Sequence, residues 1–359
     1  VISDFGVRAV NCADDTRLGG VKLSLDYRLQ QIVEQAADKL TKGAIVMVDV
    51  TNGDVVATAS RPQFSQNQPS KSMGGTHSEL VNRAFQPYNI GSIFKIVVAA
   101  TALENNTVNL FDPFKCTGKI TVDGRDFACH NAEGHGDIDF QKAFTQSCNP
   151  VFIDVALKTG YQAIYDKAKA LGFGNAIPLG ENVGEQSGNL PPPHFSTPQS
   201  VANFAIGQGD FLATPIQVAD LMTCIANGGE RKKLNLLDSV LDASGETEKT
   251  LKTFKNLRVI EQRVAEKIKQ MLTETVTSGT GKNAQIAEFG NAAGKTGSAE
   301  TGWIGEDGKT MVQAWFAGYF PVKQPKYALV VMVENGGKGG TAAAPIFQAI
   351  AKDTMTITE

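Results

Sequence analysis

"GAIVMVDVTNGDVVATASRP", residues 43–62, holds two runs of β-branched and small apolar residues on either side of Thr51-Asn52-Gly53-Asp54, and Pro62 closes the second run. Asn-Gly between such runs is the strongest short-range hairpin signal, because the favoured two-residue turn needs positive φ at both central positions. A lone hairpin is marginal in water, so these strands need partners. Strand patterns return near the other end, in "MVQAWFAGYFPV" (311–322) and "YALVVMVEN" (327–335), joined by a turn at Lys323 to Lys326. The early hairpin and the late strands are therefore expected to pair into one sheet. The chain between them, from Gln63 to about Phe289, reads as helices and loops, including the Pro-rich "NLPPPHFSTPQ" at 189–199.

Two helices frame that sheet in sequence. "SLDYRLQQIVEQAADKL" has apolar residues at Leu25, Leu29, Ile32, Val33, Ala36 and Leu40, an amphipathic spacing, and "TAAAPIFQAIAKDTM" closes the chain. The expected organisation is an irregular linker at 1–20, a sheet subdomain from 21–62 and 290–359, and a helical subdomain from 63–289. No internal repeat is visible.

At 359 residues, 42% hydrophobic and 20% charged, the chain has the composition of a globular protein with a sizeable core. A net charge of -3 without a long basic run gives no electrostatic reason to expect nucleic acid. No apolar run approaches the roughly 20 residues that span a bilayer, and there is no signal peptide. Because residue 1 is Val, the chain reads as a fragment, which leaves room for a removed targeting or anchoring segment.

The five cysteines, Cys12, Cys116, Cys129, Cys148 and Cys224, contain no Cys-x-x-Cys pair, which argues against a zinc ribbon or a thioredoxin-type site. Cys116 and Cys129 bracket "TGKITVDGRDFA", a hairpin-like stretch turning at Asp123-Gly124. They are either a cross-strand disulfide or two buried thiols. Cys129-His130 with His135 suggests a metal only weakly in the absence of a paired-cysteine knuckle, so neither metal nor cofactor is expected. His77, His130, His135 and His194 lie in loop-like sequence and read as surface or structural residues.

One stretch is chemically odd. "YNIGSIFKIVVAATALEN", residues 88–105, reads as a helix apolar all round, which belongs in a core, yet it contains Lys95. An unpartnered buried ammonium costs several kcal/mol, so the lysine is either snorkelling or chemical. Ser92 lies one turn before it and follows Gly91, at a helix N-terminus that favours negative charge. For Lys95 to deprotonate a serine near neutral pH, its pKa must fall by about 3 units from about 10.4, which burial and a second cation can achieve.

Two further motifs supply what such a pair needs. Ser147-Cys148-Asn149 sits between the helical runs "DFQKAFTQ" and "PVFIDVALKTG" and offers a hydroxyl to relay protons and an amide to hold a carbonyl or the lysine. Ser65-Gln66-Asn67 and Ser187-Gly188-Asn189 match as strings but lie in loops. Lys295-Thr296-Gly297-Ser298 precedes the late strands, on or beside the sheet, where Lys295 is the second cation, Thr296 and Ser298 bind a substrate carboxylate, and Gly297 admits substrate to the backbone. Its double, Lys158-Thr159-Gly160, is explained as a helix end capped by glycine. "GNAAGKTG" is not a phosphate-binding loop, since Phe289 stands where its first glycine belongs. Neither Gly-x-Ser-x-Gly nor His-Glu-x-x-His occurs.

Ser-x-x-Lys, Ser-x-Asn and Lys-Thr-Gly in this order, at Ser92, Ser147 and Lys295, resemble the motif set of penicillin-binding transpeptidases and serine β-lactamases. "AFTQSCNPVF", "FAIGQGDFLATPIQVADLMTCIANGG" and "AAGKTGSAET" are closer to the penicillin-binding proteins, and the segment from Cys116 to Gly136 to their monofunctional class B group. The resemblance implies an α+β fold, a five-stranded antiparallel sheet flanked by helices with a mostly helical insertion. It implies that Ser92 attacks the D-Ala-D-Ala carbonyl of a peptidoglycan stem peptide with Lys95 as base. Ser147 passes a proton to the departing D-alanine, Asn149 orients substrate and Lys95, and the N–H groups of Ser92 and Ser298 hold the oxyanion. β-Lactams are then acylating inhibitors, a cell-wall glycosyltransferase a partner, and the location extracytoplasmic behind a missing N-terminal anchor. Four positions depart from the family's habit: Ile90 and Ile93 stand for its proline and threonine, Ser298 for a threonine and Glu300 for a glutamine. The rival functions are a D,D-carboxypeptidase or β-lactamase, which needs a base placed for deacylating water, and a β-lactam sensor or inactive scaffold.

Overall fold

The computed structural model describes residues 2–3, 6–7, 19–73, 77–179, 186–305 and 308–358. Most of the expected linker at 1–20, Cys12 included, lies outside them. The residues of the early hairpin form β1 (Gly43–Asp49) and β2 (Asp54–Arg61), and the late strands are β3 (Ala293–Ile304), β4 (Thr310–Phe320) and β5 (Tyr327–Val333). All five make one antiparallel sheet in the order β3-β4-β5-β1-β2. The first and last strands of the sheet in chain order meet inside it, with Val46 opposite Val330 and Gly43 opposite Val333.

Both faces of this sheet are covered, which explains why β1 reads as an unbroken apolar run. Ala44, Val46 and Val48 pack into one core with the central helices, while Ile45 and Met47 pack into the other. The second core is closed by α1 (Tyr27–Ala37), through Leu29 and Val33, and by the C-terminal helix Ala344–Thr358, through Phe347 and Ile350. Asp26 starts α1 by accepting hydrogen bonds from the N–H groups of Arg28 and Leu29.

Between β2 and β3 run α2 (Lys95–Glu104), α3 (Phe140–Thr145), α4 (Asn149–Thr159), α5 (Pro215–Ala226) and α6 (Gln262–Thr277), with further helices between them. α2 is buried from Lys95 through Leu103, as its composition requires. The expectation that strands return only late needs correction. Gly20–Leu23 pairs with Leu237–Leu241, which pairs with Thr247–Thr250, and Glu230–Lys232 pairs with Asn256–Arg258. These ribbons are short and largely exposed, so they carry no alternation of apolar and polar residues from which a strand is read.

Candidate active site

Three segments far apart in sequence converge beside β3, an edge strand of the main sheet. The first is the turn Gly91–Phe94, a 3₁₀ turn that runs directly into α2. In 3₁₀ geometry residues i and i+3 eclipse, so Ser92 and Lys95 share a face. Gly91 has φ +57°, and a Cβ there would lie 2.9 Å from the carbonyl oxygen of Ser298 and 3.2 Å from its nitrogen. The backbone of the Ser92 turn thus abuts the edge of β3, and the Gly91 N–H donates to Gly207 O at 3.0 Å on the other side.

The second segment is the tight connection between α3 and α4. Ser147 and Cys148 donate their N–H groups to Phe144 O and Ala143 O, which turns the chain sharply, and Ser147 takes φ +56°, uncommon for a residue with a Cβ. The third is Lys295 in β3, opposite Ala317 of β4. Lys95 and Lys295 are both fully buried, and Ser147 is 7% exposed.

These side chains meet on one hydroxyl. Lys295 Nζ donates to Ser147 Oγ at 2.8 Å, and Lys95 Nζ stands 3.3 Å from the same oxygen. Lys95 Nζ also donates to Ser147 O and to Asn149 Oδ1, each at 2.7 Å. A neutral amine has two N–H bonds and one lone pair, so these two carbonyl acceptors use both donors and leave the lone pair available. Burial brings the Lys95 pKa down to about 7. Burial, and then the charge of Lys95, holds Lys295 well below the ordinary lysine range. Two buried amines on one hydroxyl disfavour double charging, and the faces of Phe152 and Phe144, with ring centroids 5.5 and 5.7 Å from Lys95 and Lys295, favour the charged form of each.

Of the residues read from the sequence, Lys95, Ser147, Asn149 and Lys295 thus form one hydrogen-bonded group, with Ser92 half-buried one turn away. Thr296 Oγ1 shares a hydrogen bond with Thr280 Oγ1 at 2.7 Å, and the exposed Ser298 accepts from the Gly339 N–H at 3.1 Å. Gly297 packs close enough to Ile90 that a Cβ would lie 2.5 Å from the Ile90 carbonyl oxygen. The doubles separate cleanly: Lys158 pairs with Asp154 on the exposed side of α4. Gln208 is an addition that composition could not single out. With its amide turned to satisfy both groups, it pairs with the Glu300 N–H and C=O at 3.1 Å each, closing the free edge of β3 beyond Ser298.

The cysteine readings are revised. The hairpin turning at Asp123-Gly124 forms, pairing Lys119–Val122 with Arg125–Ala128, but Cys116 belongs to a different ribbon, where it lies opposite Gly136. Cys116 and Cys129 are therefore not cross-strand partners, and they are buried free thiols together with Cys148 and Cys224. His135, expected to be an ordinary loop residue, instead places Nδ1 at 3.5 Å from Cys129 Sγ.

Comparison with known proteins identifies the family of the fold that carries this arrangement. Residues 43–352 match the family described as the penicillin binding protein transpeptidase domain. Stage V sporulation protein D of Bacillus subtilis is 30% identical over 93% of this chain and 53% of its own length, and the peptidoglycan D,D-transpeptidase PbpA of Mycobacterium tuberculosis is 28% identical over 95% and 73%. The chain thus spans about half the length of the Bacillus subtilis relative. Among solved structures, the penicillin G acyl-enzyme complex of penicillin-binding protein A from M. tuberculosis superposes with a TM-score of 0.83 at 26% identity, covering 94% of this chain and 81% of that one. A D,D-transpeptidase domain from Eggerthella lenta gives 0.85 at 26% identity, over 94% and 83%. A match that begins at the first strand of the central sheet and ends in its last helix, on a chain whose buried lysines meet at Ser147, makes this protein a member of the penicillin-binding protein transpeptidase domain family.

Proposed function

We propose that the domain is a serine D,D-transpeptidase that cross-links peptidoglycan stem peptides through an acyl-enzyme on Ser92, and that β-lactams acylate the same hydroxyl. The observation that carries this reading is the Ser147 hydroxyl held between two fully buried lysine amines, next to the turn that presents Ser92. Lys95, with its lone pair free, takes the Ser92 proton as Oγ attacks the carbonyl between the two D-alanines. The N–H groups of Ser92 and Ser298 receive the developing oxyanion, where one such donor typically contributes about 3 to 4 kcal/mol. The proton then moves through Ser147 Oγ to the departing D-alanine nitrogen, with Lys295 stabilising the relay. A stem-peptide amine attacks the acyl-enzyme and restores Ser92 as the reverse proton path runs. Thr296, Gly297 and Ser298 bind the substrate along the free edge of β3.

In this reading the chain divides into a sheet subdomain (21–62 and 290–359) and a helical subdomain (63–289), with the site at their junction. The domain works on the extracytoplasmic side of a bacterial membrane, anchored through a segment outside this sequence and beside a glycosyltransferase. The name of the relatives, peptidoglycan D,D-transpeptidase, supports that location. Among the described residues no helix is long and apolar enough to cross a membrane.

The test is turnover of a D-Ala-D-Ala stem peptide in the presence of an amine acceptor, followed by mass spectrometry. Release of D-alanine with a cross-linked product is expected. Hydrolysed donor alone would make the protein a carboxypeptidase, and a long-lived penicillin adduct without turnover would make it a sensor.

Gly91→Ala is a second check. The added Cβ meets Ser298 backbone atoms at 2.9 Å, and the left-handed conformation costs about 1–2 kcal/mol for a residue with a side chain. Acylation by penicillin is expected to slow by about 10²-fold as the Ser92 turn shifts, with unfolding free energy falling by about that same 1–2 kcal/mol. A wild-type acylation rate would show that the turn does not fix Ser92.

A further inference from the structure

We propose that Cys116, Cys129, His135 and Cys148 form a closed Cys₃His site for one zinc ion, which fastens the Ser147–Asn149 connection to the loop at 129–135. The four ligand atoms all lie within 4.8 Å of one another. A tetrahedral ion with Zn–S about 2.3 Å and Zn–N about 2.0–2.1 Å requires S···S separations of about 3.8 Å and S···N separations of about 3.6 Å. Cys129 Sγ and His135 Nδ1 are 3.5 Å apart, already at that spacing, and no other pair, all within 4.8 Å, exceeds its required spacing by more than about 1.2 Å.

The chain builds this cluster from three directions. Cys116 ends the strand Pro113–Cys116, and Cys129 follows Arg125–Ala128, its N–H donating to Gly118 O at 2.8 Å. His135 comes from the loop between them and the returning strand. That loop is pressed against the strand end at Gly134, where a Cβ would lie 2.2 Å from Cys116 O, and Asn131 Nδ2 braces it by donating to Gly134 O at 2.6 Å. Cys148 caps the N-terminus of α4. The three thiols are buried and free, and one disulfide among them would still leave a third sulfur and an imidazole in contact. Three soft sulfurs and one imidazole select zinc over hard cations, and four protein donors leave no open position, so the ion is structural.

Its effect on chemistry follows from the position of Cys148 between Ser147 and Asn149, and this step rests on the transpeptidase reading. Asn149 Oδ1 holds Lys95, and Asn149 Nδ2 donates to the carbonyl of Ala128, the residue before Cys129, at 3.0 Å. Zinc bridging Cys148 to Cys129 therefore fixes both ends of that contact and keeps the Ser147 hydroxyl between the two lysines. The four residues act as positioning residues and do not touch substrate.

The test uses the whole chain, purified without a polyhistidine tag or chelator, with metal content measured by inorganic mass spectrometry. About one zinc per chain is expected, released stoichiometrically by a mercurial thiol reagent. Cobalt substituted into the wild-type protein should show the intense visible bands and sulfur-to-metal charge transfer of a tetrahedral thiolate site. Cys129→Ser and His135→Ala should lose the metal and acylate with penicillin about 10²-fold more slowly, while Cys224→Ala keeps the zinc. The cobalt spectrum needs no variant, so a poorly folding mutant does not remove the test. Absence of zinc from the wild type, iron in its place, an intact mass showing a disulfide, or zinc retained by both ligand variants would each overturn the proposal. Zinc without any penicillin adduct on the wild type would instead overturn the assignment of Ser92.

Discussion

A Ser92→Ala chain exposed to penicillin gains no mass, whereas the wild type gains one drug molecule. The loss expected on removing a nucleophile is on the order of 10⁴ to 10⁶ in rate, larger than for any other side chain in the site. Ser147 is the nearest rival, but its hydroxyl is 7% exposed and already receives a hydrogen bond from Lys295 at 2.8 Å. Ser298 lies on the other side, exposed, with its hydroxyl accepting from Gly339 and no lysine against it among the described residues. Ser92 alone combines a half-buried hydroxyl with the face it shares with Lys95. Replacing a half-buried hydroxyl with a methyl group should leave stability within about 0.5 kcal/mol, so the result reads chemistry rather than folding. Intact-mass spectrometry decides it, and a persistent adduct mapped to Ser147 or Ser298 would move the nucleophile there.

Lys95→Met should slow the same acylation by about 10³ to 10⁴-fold, near the upper end of what a general base contributes. Methionine matches the buried stem in shape, but it leaves Ser147 O and Asn149 Oδ1 without their donor, at a cost of about 1 to 3 kcal/mol each in stability. The pH profile separates the two effects. Lys95 is active as a base only when neutral, and its pKa lies at about 7. Wild-type acylation should therefore rise with pH through about that value and level off above it, with about a tenth of the plateau left one unit below. The Lys95→Met enzyme should lack this rise while keeping its fold by circular dichroism. An unchanged profile in the variant would assign the titration to another group.

What could be read in advance divides along physical lines. The hairpin around Asn52-Gly53, the spacing of α1 and the burial of Lys95 are consequences of neighbouring residues, and each appears in the molecule, although the hairpin closes through four residues, 50–53, with positive φ at Gly53 and not at Asn52. Choosing Lys295 over Lys158 was also possible, because Gly160 has the positive φ of a helix stop and Lys158 is left on the solvent side. Gln208 was not readable, since its amide meets Glu300 across more than 90 residues and no periodicity marks such a pair. The cysteine cluster failed for a related reason. Its ligands sit on two ribbons and a helix cap, so the spacing between Cys116 and Cys129 suggested a pair where the molecule holds a group of four. The short exposed ribbons between 230 and 258 gave no signal because solvent, not a core, faces most of their side chains.

The meeting of β1 with β5 has a consequence for biosynthesis. β1 and β2 leave the ribosome long before Tyr327, where the neighbour that covers the Gly43–Asp49 edge begins. While residues 62–326 are being made, a greasy ribbon with a row of unspent amide and carbonyl groups must wait, the kind of intermediate that sticks to its copies or recruits chaperones. Lys295 likewise arrives long after the serine it serves. A truncated nascent chain is therefore inert, and competence to react with an antibiotic reports that the last strands have closed over the first.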